Sequence, residues 1–225
     1  FWNNALQKIV MFGFWSGSST NGVVYRIGTV GTSSVTWSPD VNGGTGWGTM
    51  ANWKSAANLY NGAEGFDITY DESQQKYMYV RNLLNQTVAK FGFFEHNSAN
   101  GTIVQAGSET NFISSSTAVG YKRRIAYQPS TGKGIMFYKN GADSDQTYFC
   151  EWTPNFSNNT FSFGSQTEIT SNVMYNYAYD VADIGAGKFA MFGPNANTSN
   201  TDIYGVIKQN ASTDLTDNFV GFSDG

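Results

Sequence analysis

The sequence has few of the residues that enzymes most often use for catalysis and metal binding. Its 225 residues contain one cysteine and one histidine, and 13% are charged, against about 25% in an average soluble protein. With Cys150 alone, neither an intrachain disulfide nor a cysteine-based metal cage can form. With His96 alone, a multi-histidine metal site or a Ser-His-Asp triad would need a partner's residues.

Long apolar runs and basic clusters are also missing. No stretch of 18 or more apolar residues occurs, so no segment is predicted to cross a membrane. The net charge is −4, and the one basic group, at 122–124, is too small for an electrostatic footprint on a polyanion. We predict neither membrane insertion nor nucleic-acid binding.

What the chain has in quantity is typical of β-structure. Aromatic residues make up 16% of the sequence, and there are 25 glycines. Asn, Ser, Thr and Gly supply most of the polarity and cluster between short alternating runs such as 147–152, in which Cys150 is predicted to be a small core or strand residue. This composition predicts an all-β domain.

A repeat is present. Four segments contain an aromatic residue, a polar turn, a lysine and an apolar run, with six residues from aromatic to lysine in three copies and nine in the fourth. A second apolar pattern starts about fifteen residues after each lysine. The aromatic residues are Trp2, Tyr70, Tyr127 and Tyr179, and the lysines are Lys8, Lys76, Lys133 and Lys188.

Four short strands per repeat predict a β-propeller-like array of four-stranded antiparallel blades, with strands of four to seven residues. A β-sandwich is the main alternative. The units span about 1–40, 66–115, 122–171 and 173–225, with an insertion at 38–65. The first and last units are incomplete, so we expect the blades to belong to a longer polypeptide.

The units resemble tandem repeats of marine phage structural proteins, especially cyanophage tail and fibre chains. The resemblance is carried by "IAYQPSTGKGIMFY" at 125–138, "TFSFGSQTEITS" at 160–171 and "LTDNFVGFSDG" at 215–225. It covers nearly the whole chain except 38–65. It implies a virion or cell-surface protein with receptor attachment as its task, although blade repeats indicate an architecture more than an activity.

The "PSTGK" stretch at 129–133 resembles the end of a phosphate-binding loop but lacks what that loop needs. The pattern requires a glycine where Tyr127 stands and a hydroxyl residue where Gly134 stands, and it must open a helix. We predict instead a hairpin turn between two strands, in which Gly132 supplies the permissive backbone. Lys133 then begins the second strand and binds no phosphate.

Catalytic groups are not evident. Asp67 with Asp71, or Asp180 with Asp183, could serve as paired carboxylates of a glycosidase, but each stands at a strand end or turn, where Asp is favoured anyway. A sialidase-like arginine triad would have to come from the four arginines of the chain. We predict no enzymatic activity, no metal and no cofactor.

The insertion at 38–65 holds the candidate binding residues. Trp47, Trp53 and Tyr60 are surrounded by Asn and Gly, and exposed aromatics of this kind suit sugar stacking or a protein interface. The alternative is that they pack the insertion onto its own blade or a neighbouring subunit. Alternating strand direction places this insertion on the face opposite the lysine turns.

Three functions remain open at this point. The first is a non-enzymatic virion structural protein, such as a phage tail fibre or surface filament, that takes part in host attachment. The second is a carbohydrate-binding lectin or adhesin of a bacterial surface, and the third is a propeller-fold glycosidase. The first predicts a virion location, oligomeric assembly with other virion or surface subunits, and a host glycan or receptor as ligand.

Overall fold

The computed structural model describes residues 1–16, 21–38, 48–49, 66–81, 89–99, 101–112, 119–140, 146–170, 180–194 and 203–209. These residues form β-strands and turns, so the all-β prediction is confirmed. In this part of the chain there is no helix with the length and hydrophobicity needed to traverse a lipid bilayer.

The strands form four antiparallel sheets, each built from strands that follow one another along the chain. Sheet 1 contains β1 (Trp2–Asn3), β2 (Lys8–Ser16), β3 (Asn21–Val30), β4 (Val35–Trp37) and β5 (Gly48–Thr49). Sheet 2 contains β6 (Phe66–Asp71), β7 (Lys76–Arg81), β8 (Ala89–Asn97) and β9 (Thr102–Phe112). Sheet 3 contains β10 (Val119–Gln128), β11 (Lys133–Asn140), β12 (Gln146–Asn155) and β13 (Thr160–Thr170). Sheet 4 contains β14 (Asp180–Gly185), β15 (Lys188–Pro194) and β16 (Ile203–Gln209).

Each repeated lysine is the first residue of the second strand of its sheet. The residue directly before it has a left-handed backbone, with φ between 51° and 73°. This conformation reverses the chain, so that the lysine pairs with the end of the first strand. The pairing sets the register of the first hairpin. The left-handed residues are Gln7, Gln75, Gly132 and Gly187.

The "PSTGK" stretch is a hairpin turn, as predicted. Gln128 pairs with Lys133 across the four residues 129–132, and the Gly132 N–H donates to the Gln128 carbonyl at 3.0 Å. Gly132 has φ 66°, which glycine adopts without steric cost. Lys133 is the first residue of strand β11 and not of a helix. The turn therefore has no helix N-terminus that could bind a phosphate.

The fourth hairpin is built differently from the other three. Its turn has two residues, Ala186 and Gly187, with φ 51° and 73°, and its strand carries a register shift before Gly185. Asp183, opposite Phe189, therefore occupies the place that Tyr70 has opposite Tyr77 in sheet 2. Tyr179, the aromatic assigned to this repeat from the sequence, lies outside the described residues.

The predicted strand length was too short for half of the described strands. Strands β9 and β13 have 11 residues each, and β3, β10 and β12 have 10. Register shifts interrupt the pairing of β8 with β9 and of β12 with β13, and Gly107 inside β9 has φ 74°. Such bulges let a strand continue past residues that break the polar and apolar alternation.

The residues of the second strand of each sheet alternate between its two sides, and in sheets 2 and 3 both sides pack on a neighbouring sheet. We call the side of a sheet that packs on the next sheet in chain order its forward face, and the opposite side its backward face. In sheet 2, Met78 and Val80 lie in a buried cluster with sheet 3. Tyr77 and Tyr79 lie in a cluster with sheet 1.

The same alternation holds in the other sheets, counted from each lysine. Positions two and four after the lysine face forward, as Val10 and Phe12 do toward sheet 2. Positions one and three face backward. Three buried clusters thereby join sheets 1 and 2, 2 and 3, and 3 and 4. The further members of the forward set are Ile135 and Phe137, and those of the backward set are Met136, Phe189 and Met191.

The described part of the insertion at 38–65 includes a short strand, β5. Gly48 and Thr49 pair with Tyr25 and Val24 along an edge of β3. Trp53 and Tyr60, with the rest of the insertion from 50 to 65, lie outside the described residues.

Cys150 is a buried thiol in β12, as predicted. Its Sγ lies 3.3 Å from the Gly164 carbonyl, and burial raises the pKa of the thiol to about 12. A thiol that stays protonated at neutral pH is a core residue and a poor nucleophile.

A substitution at Gly134 tests the packing between β11 and β12. A Cβ at this position would overlap the Trp152 ring, which lies across the glycine. We expect Gly134→Ala to lower the free energy of unfolding by about 1–3 kcal/mol, because the indole must leave its packed position. Urea unfolding measures this. Gly164→Ala is the control, because its new methyl would lie 3.6 Å from the nearest atom; an equal loss in both variants would contradict the packing explanation.

Candidate functional site

Buried polar side chains occur in a row on the first strands, next to the hairpin turns. Asn3 lies opposite Lys8 and is fully buried. Its Oδ1 accepts a hydrogen bond from the Leu6 N–H at 3.0 Å within its own turn. Its Nδ2 donates to the Tyr77 hydroxyl of sheet 2 at 3.1 Å. One side chain thus closes a turn and joins two sheets.

Asp71 does the same between sheets 2 and 3. It is buried opposite Lys76, and its Oδ1 accepts from the Gln74 N–H at 3.1 Å and the Ser73 hydroxyl at 2.7 Å. It also accepts from the Tyr127 hydroxyl of sheet 3. Burial first, then the Asp71 charge and this hydrogen bond, raise the pKa of Tyr127.

Gln128 continues the row between sheets 3 and 4. It is buried opposite Lys133, and its Nε2 donates to the Asp183 Oδ1 at 2.5 Å. The same carboxylate oxygen accepts from the Gly185 N–H at 2.8 Å in the fourth hairpin. We call Asn3, Asp71 and Gln128 the hairpin row.

A second row, of charged residues, also lies on the first strands. Its members pair with the fourth residue after each lysine, so they lie further from the hairpin turn than the first row. Asp67 lies opposite Val80, Arg124 opposite Phe137 and Asp180 opposite Phe192. Asp67 and Asp180 each make a hydrogen bond of the same kind within their own strand. The Oδ1 of each accepts the N–H of the following residue, at 3.0 Å for Asp67 and 2.9 Å for Asp180. We call these three residues the charged row.

Asp67 is the most perturbed carboxylate of the described chain. Its Oδ2 accepts the Ile125 N–H of sheet 3 at 2.7 Å. Burial raises its pKa to about 6, against the lowering effect of the two backbone N–H groups and of Arg124, with a smaller raising contribution from Asp180. A pKa in that range suits a general acid, but both oxygens already accept backbone hydrogen bonds.

The spacing of the acidic residues does not form a glycosidase pair. Asp67 and Asp71 lie four residues apart on β6, which separates their side chains by about 13 Å along the strand, beyond the roughly 5–9.5 Å that glycosidases use. Asp180 and Asp183 are three apart on β14 and point to opposite faces. Both candidate pairs are engaged with neighbouring strands and turns.

The four arginines lie in three different sheets and do not form a triad. Arg81 makes a two-pronged salt bridge to Glu109, with Nη2 to Oε2 at 2.5 Å. The same carboxylate accepts from the Tyr79 hydroxyl at 3.0 Å. Arg123 is fully buried and Arg124 is half-buried beside it on β10, while Arg26 lies on β3.

Lys76, one of the repeated lysines, bonds to the next sheet. The Lys76 ammonium donates to Asn159 and to the Phe156 carbonyl, both in the turn before β13 of sheet 3, and lies 5.6 Å from the Phe93 ring centre. It also lies 3.6 Å from Glu95. This contact places the first and third turns of the sheets on one side of the array, as the strand alternation predicted.

Lys8 has a related position toward sheet 2. Burial, followed by the charge of Lys8, lowers the pKa of His96 at the end of β8. The imidazole is therefore neutral at pH 7, and the only histidine of the chain stands beside a lysine turn. Lys133 lies 3.9 Å from Glu151 with its side chain 43% exposed, so this ion pair adds little stability.

The candidate ligand-binding residues Trp47, Trp53 and Tyr60 lie outside the described residues. Of the predicted repeat residues, Trp2 is exposed, Tyr70 is half-buried and Tyr127 is buried. Within the described segments, no three His, Cys, Asp or Glu residues are grouped to hold a metal ion.

Comparison of the sequence with protein-family models and with characterised proteins finds no match.

The titration of Asp67 makes stability depend on pH. Its pKa is raised on folding, so the folded protein binds the proton more tightly than the unfolded chain. The free energy of unfolding should therefore fall as pH rises from about 4 to about 6, by roughly 1–3 kcal/mol. Chemical unfolding across this range measures it, and Asp67→Asn should flatten the slope.

Asp180→Asn is the matched control, because it removes an aspartate with the same local contact from the equivalent strand position. An unchanged pH slope in Asp67→Asn would contradict the assignment.

The bond between Asn3 and Tyr77 tests the coupling between sheets 1 and 2. Tyr77→Phe leaves the Asn3 amide buried without its acceptor, which should cost about 1–3 kcal/mol of unfolding free energy. In a double-mutant cycle with Asn3→Ala, the coupling energy should be at least about 0.5 kcal/mol. Additive losses would show that the two sheets are not joined through this pair.

Proposed function

We propose that the chain is a non-enzymatic structural protein of a virion, a blade array in a tail fibre or surface appendage that takes part in host attachment. The observation that carries the proposal is the hairpin row. Its buried members Asn3, Asp71 and Gln128 each bind the following sheet. Polar groups placed in this way hold a scaffold in register and leave loops to recognise ligands.

The proposed arrangement is propeller-like. The first strand of sheet 3, β10, contacts the first strands of both neighbouring sheets, β6 and β14. Blades around a common axis require that the first strands of neighbouring sheets meet in this way. The sequence resemblance to phage fibre repeats, which covers the same hairpins, supports the virion assignment.

The decisive experiment is to look for the polypeptide in particles. Virions are purified from a lysate of the host that carries this coding sequence, and their proteins are identified by mass spectrometry. We expect peptides of this chain in stoichiometric amounts, with antibody labelling on a tail or appendage in electron micrographs. Its absence from particles, together with its presence on uninfected cells, would contradict the virion role.

A surface lectin is the second candidate, and one observation favours it. Gly48 and Thr49 tie the insertion to the edge of β3, so the residue that follows Trp47 in the chain is anchored on sheet 1. Aromatic residues held by a rigid scaffold are suited to stacking on sugar rings.

Glycan binding by the purified chain tests this candidate. If the insertion binds sugar, Trp47→Ala and Trp53→Ala should each weaken binding by about tenfold or more, equal to about 1.4 kcal/mol. Trp37→Ala, which removes a tryptophan from β4 outside the insertion, is the control. Equal affinity in wild type and both insertion variants would contradict binding through these residues. Turnover of a glycan that is lost in Asp67→Asn would overturn the non-enzymatic proposal itself.

A further inference from the structure

Sheets 1 and 4 carry exposed apolar residues on the sides that no other described sheet covers, whereas the equivalent residues between two described sheets are buried or half-buried. Phe192 is the fourth residue after Lys188 and so belongs to the forward face of sheet 4. The same position is Val80 in sheet 2 and Phe137 in sheet 3, and both are 0% exposed because the next sheet covers them. Phe192 is 49% exposed.

The backward face of sheet 1 also carries exposed apolar residues. Asn3 faces forward to Tyr77, so its neighbour Trp2 faces backward, and Trp2 is 45% exposed. The corresponding Tyr127 of sheet 3 is 6% exposed. Val23, Tyr25 and Ile27 of β3 face forward, so Val30 faces backward, and it is 46% exposed.

Exposed large hydrophobic residues are concentrated on these two faces. In the described part of the chain there are five of them. Three of the five lie on these two faces: Trp2 and Val30 on the backward face of sheet 1, and Phe192 on the forward face of sheet 4. The other two are Ile184, at the hairpin end of sheet 4, and Phe1, whose ring contacts Phe12, Tyr70 and Tyr77. Apolar residues exposed at positions that are otherwise packed between sheets indicate a surface for a further contact of the same kind.

The three internal interfaces show what packs against a forward face. In the interfaces between sheets 1 and 2 and between sheets 3 and 4, the forward residues two and four positions after one lysine share a cluster with the backward residues one and three positions after the next. In the interface between sheets 2 and 3, Gly134 holds the first backward position, and Met136 and Tyr138 supply the apolar side chains. Sheet 1 presents a backward pair of the same kind, Ile9 and Met11, and both are only half-buried. The partner that fits Phe192 is therefore a backward face such as that of sheet 1.

We propose that the forward face of sheet 4 packs against the backward face of sheet 1 in a second copy of this chain. The contact continues the interface that already joins sheets 1 to 4. It joins two different surfaces, so it is head-to-tail and leads either to a closed ring or to a filament. This inference does not depend on the virion role, since any surface assembly could use it.

The lysine turn adds a polar contact to the same interface. Lys76 donates to the turn before the fourth strand of the next sheet, and Lys8 stands near His96, close to the matching turn of sheet 2. Lys188 has the same place in sheet 4. In the second copy it would meet the turn at 31–34, where Ser34 and Gly31 already share a backbone hydrogen bond.

Sedimentation velocity over a concentration series tests the proposal. The wild-type chain should associate, and Phe192→Asp and Met11→Asp should each raise the dissociation constant roughly ten- to hundredfold or more, because a charge enters an apolar contact. Ala99→Asp adds the same charge to the exposed turn before β9 and should associate as wild type does. Circular dichroism and thermal unfolding check that each variant is folded.

Mixing the two end variants separates head-to-tail from symmetric contact. Phe192→Asp keeps an intact sheet 1 face and Met11→Asp keeps an intact sheet 4 face, so the mixture should form a one-to-one heterodimer that neither variant forms alone. If either variant does not fold, Phe192→Ala with Met11→Ala serves in its place.

Three outcomes would overturn the proposal. The first is a wild-type chain that stays monomeric up to about 100 µM, a weak affinity for a specific interface. The second is a monomer whose melting temperature falls in Phe192→Asp, which would mean that sheets 4 and 1 of one copy pack together. The third is self-association that neither end variant weakens.

Discussion

The left-handed residue before each repeated lysine is the constraint on which the rest of the structure depends. It closes the first hairpin so that the lysine enters the second strand at a fixed register. Side chains alternate along a strand, so this register decides which residues face the preceding sheet and which face the following one. A slip of one residue would exchange Met78 with Tyr77 and reverse every interface of the sheet.

The same register also determines which groups the buried polar side chains of the first strands bind. A buried amide or carboxylate costs stability unless it is hydrogen-bonded, and Asn3 and Asp71 meet this condition partly within their own turns and partly on the next sheet, whereas the Gln128 side chain bonds to the next sheet through its Nε2. Asn3 and Asp71 each make both kinds of contact. The contacts make each sheet dependent on its neighbour and give the stack a direction, which a scaffold that assembles head-to-tail requires.

The sequence allowed the fold class, the four hairpins and the burial of Cys150 to be predicted, because turn chemistry and alternation are local signals. The hairpin row was not recognised. Its members Asn3, Asp71 and Gln128 are three different residue types that share only their place opposite a lysine, a relation visible once the strands are paired. The fourth hairpin was aligned on Tyr179 because a two-residue turn with a register shift moved the equivalent position to Asp183. The full length of the long strands was not predicted, because bulges interrupt the alternation of polar and apolar residues along them.

Nuclear Overhauser effects from methyl-labelled methionines measure the direction of the faces most directly. Met78 belongs to the cluster that contains Trp152 and Phe161 of sheet 3, so its methyl group should show cross-peaks to those rings. Tyr25 of sheet 1 belongs to the cluster on the opposite side of sheet 2, and Met78 should show none to it. Cross-peaks from the Met78 methyl to Tyr25, in place of those to sheet 3, would contradict the register and with it the directional stacking of the sheets.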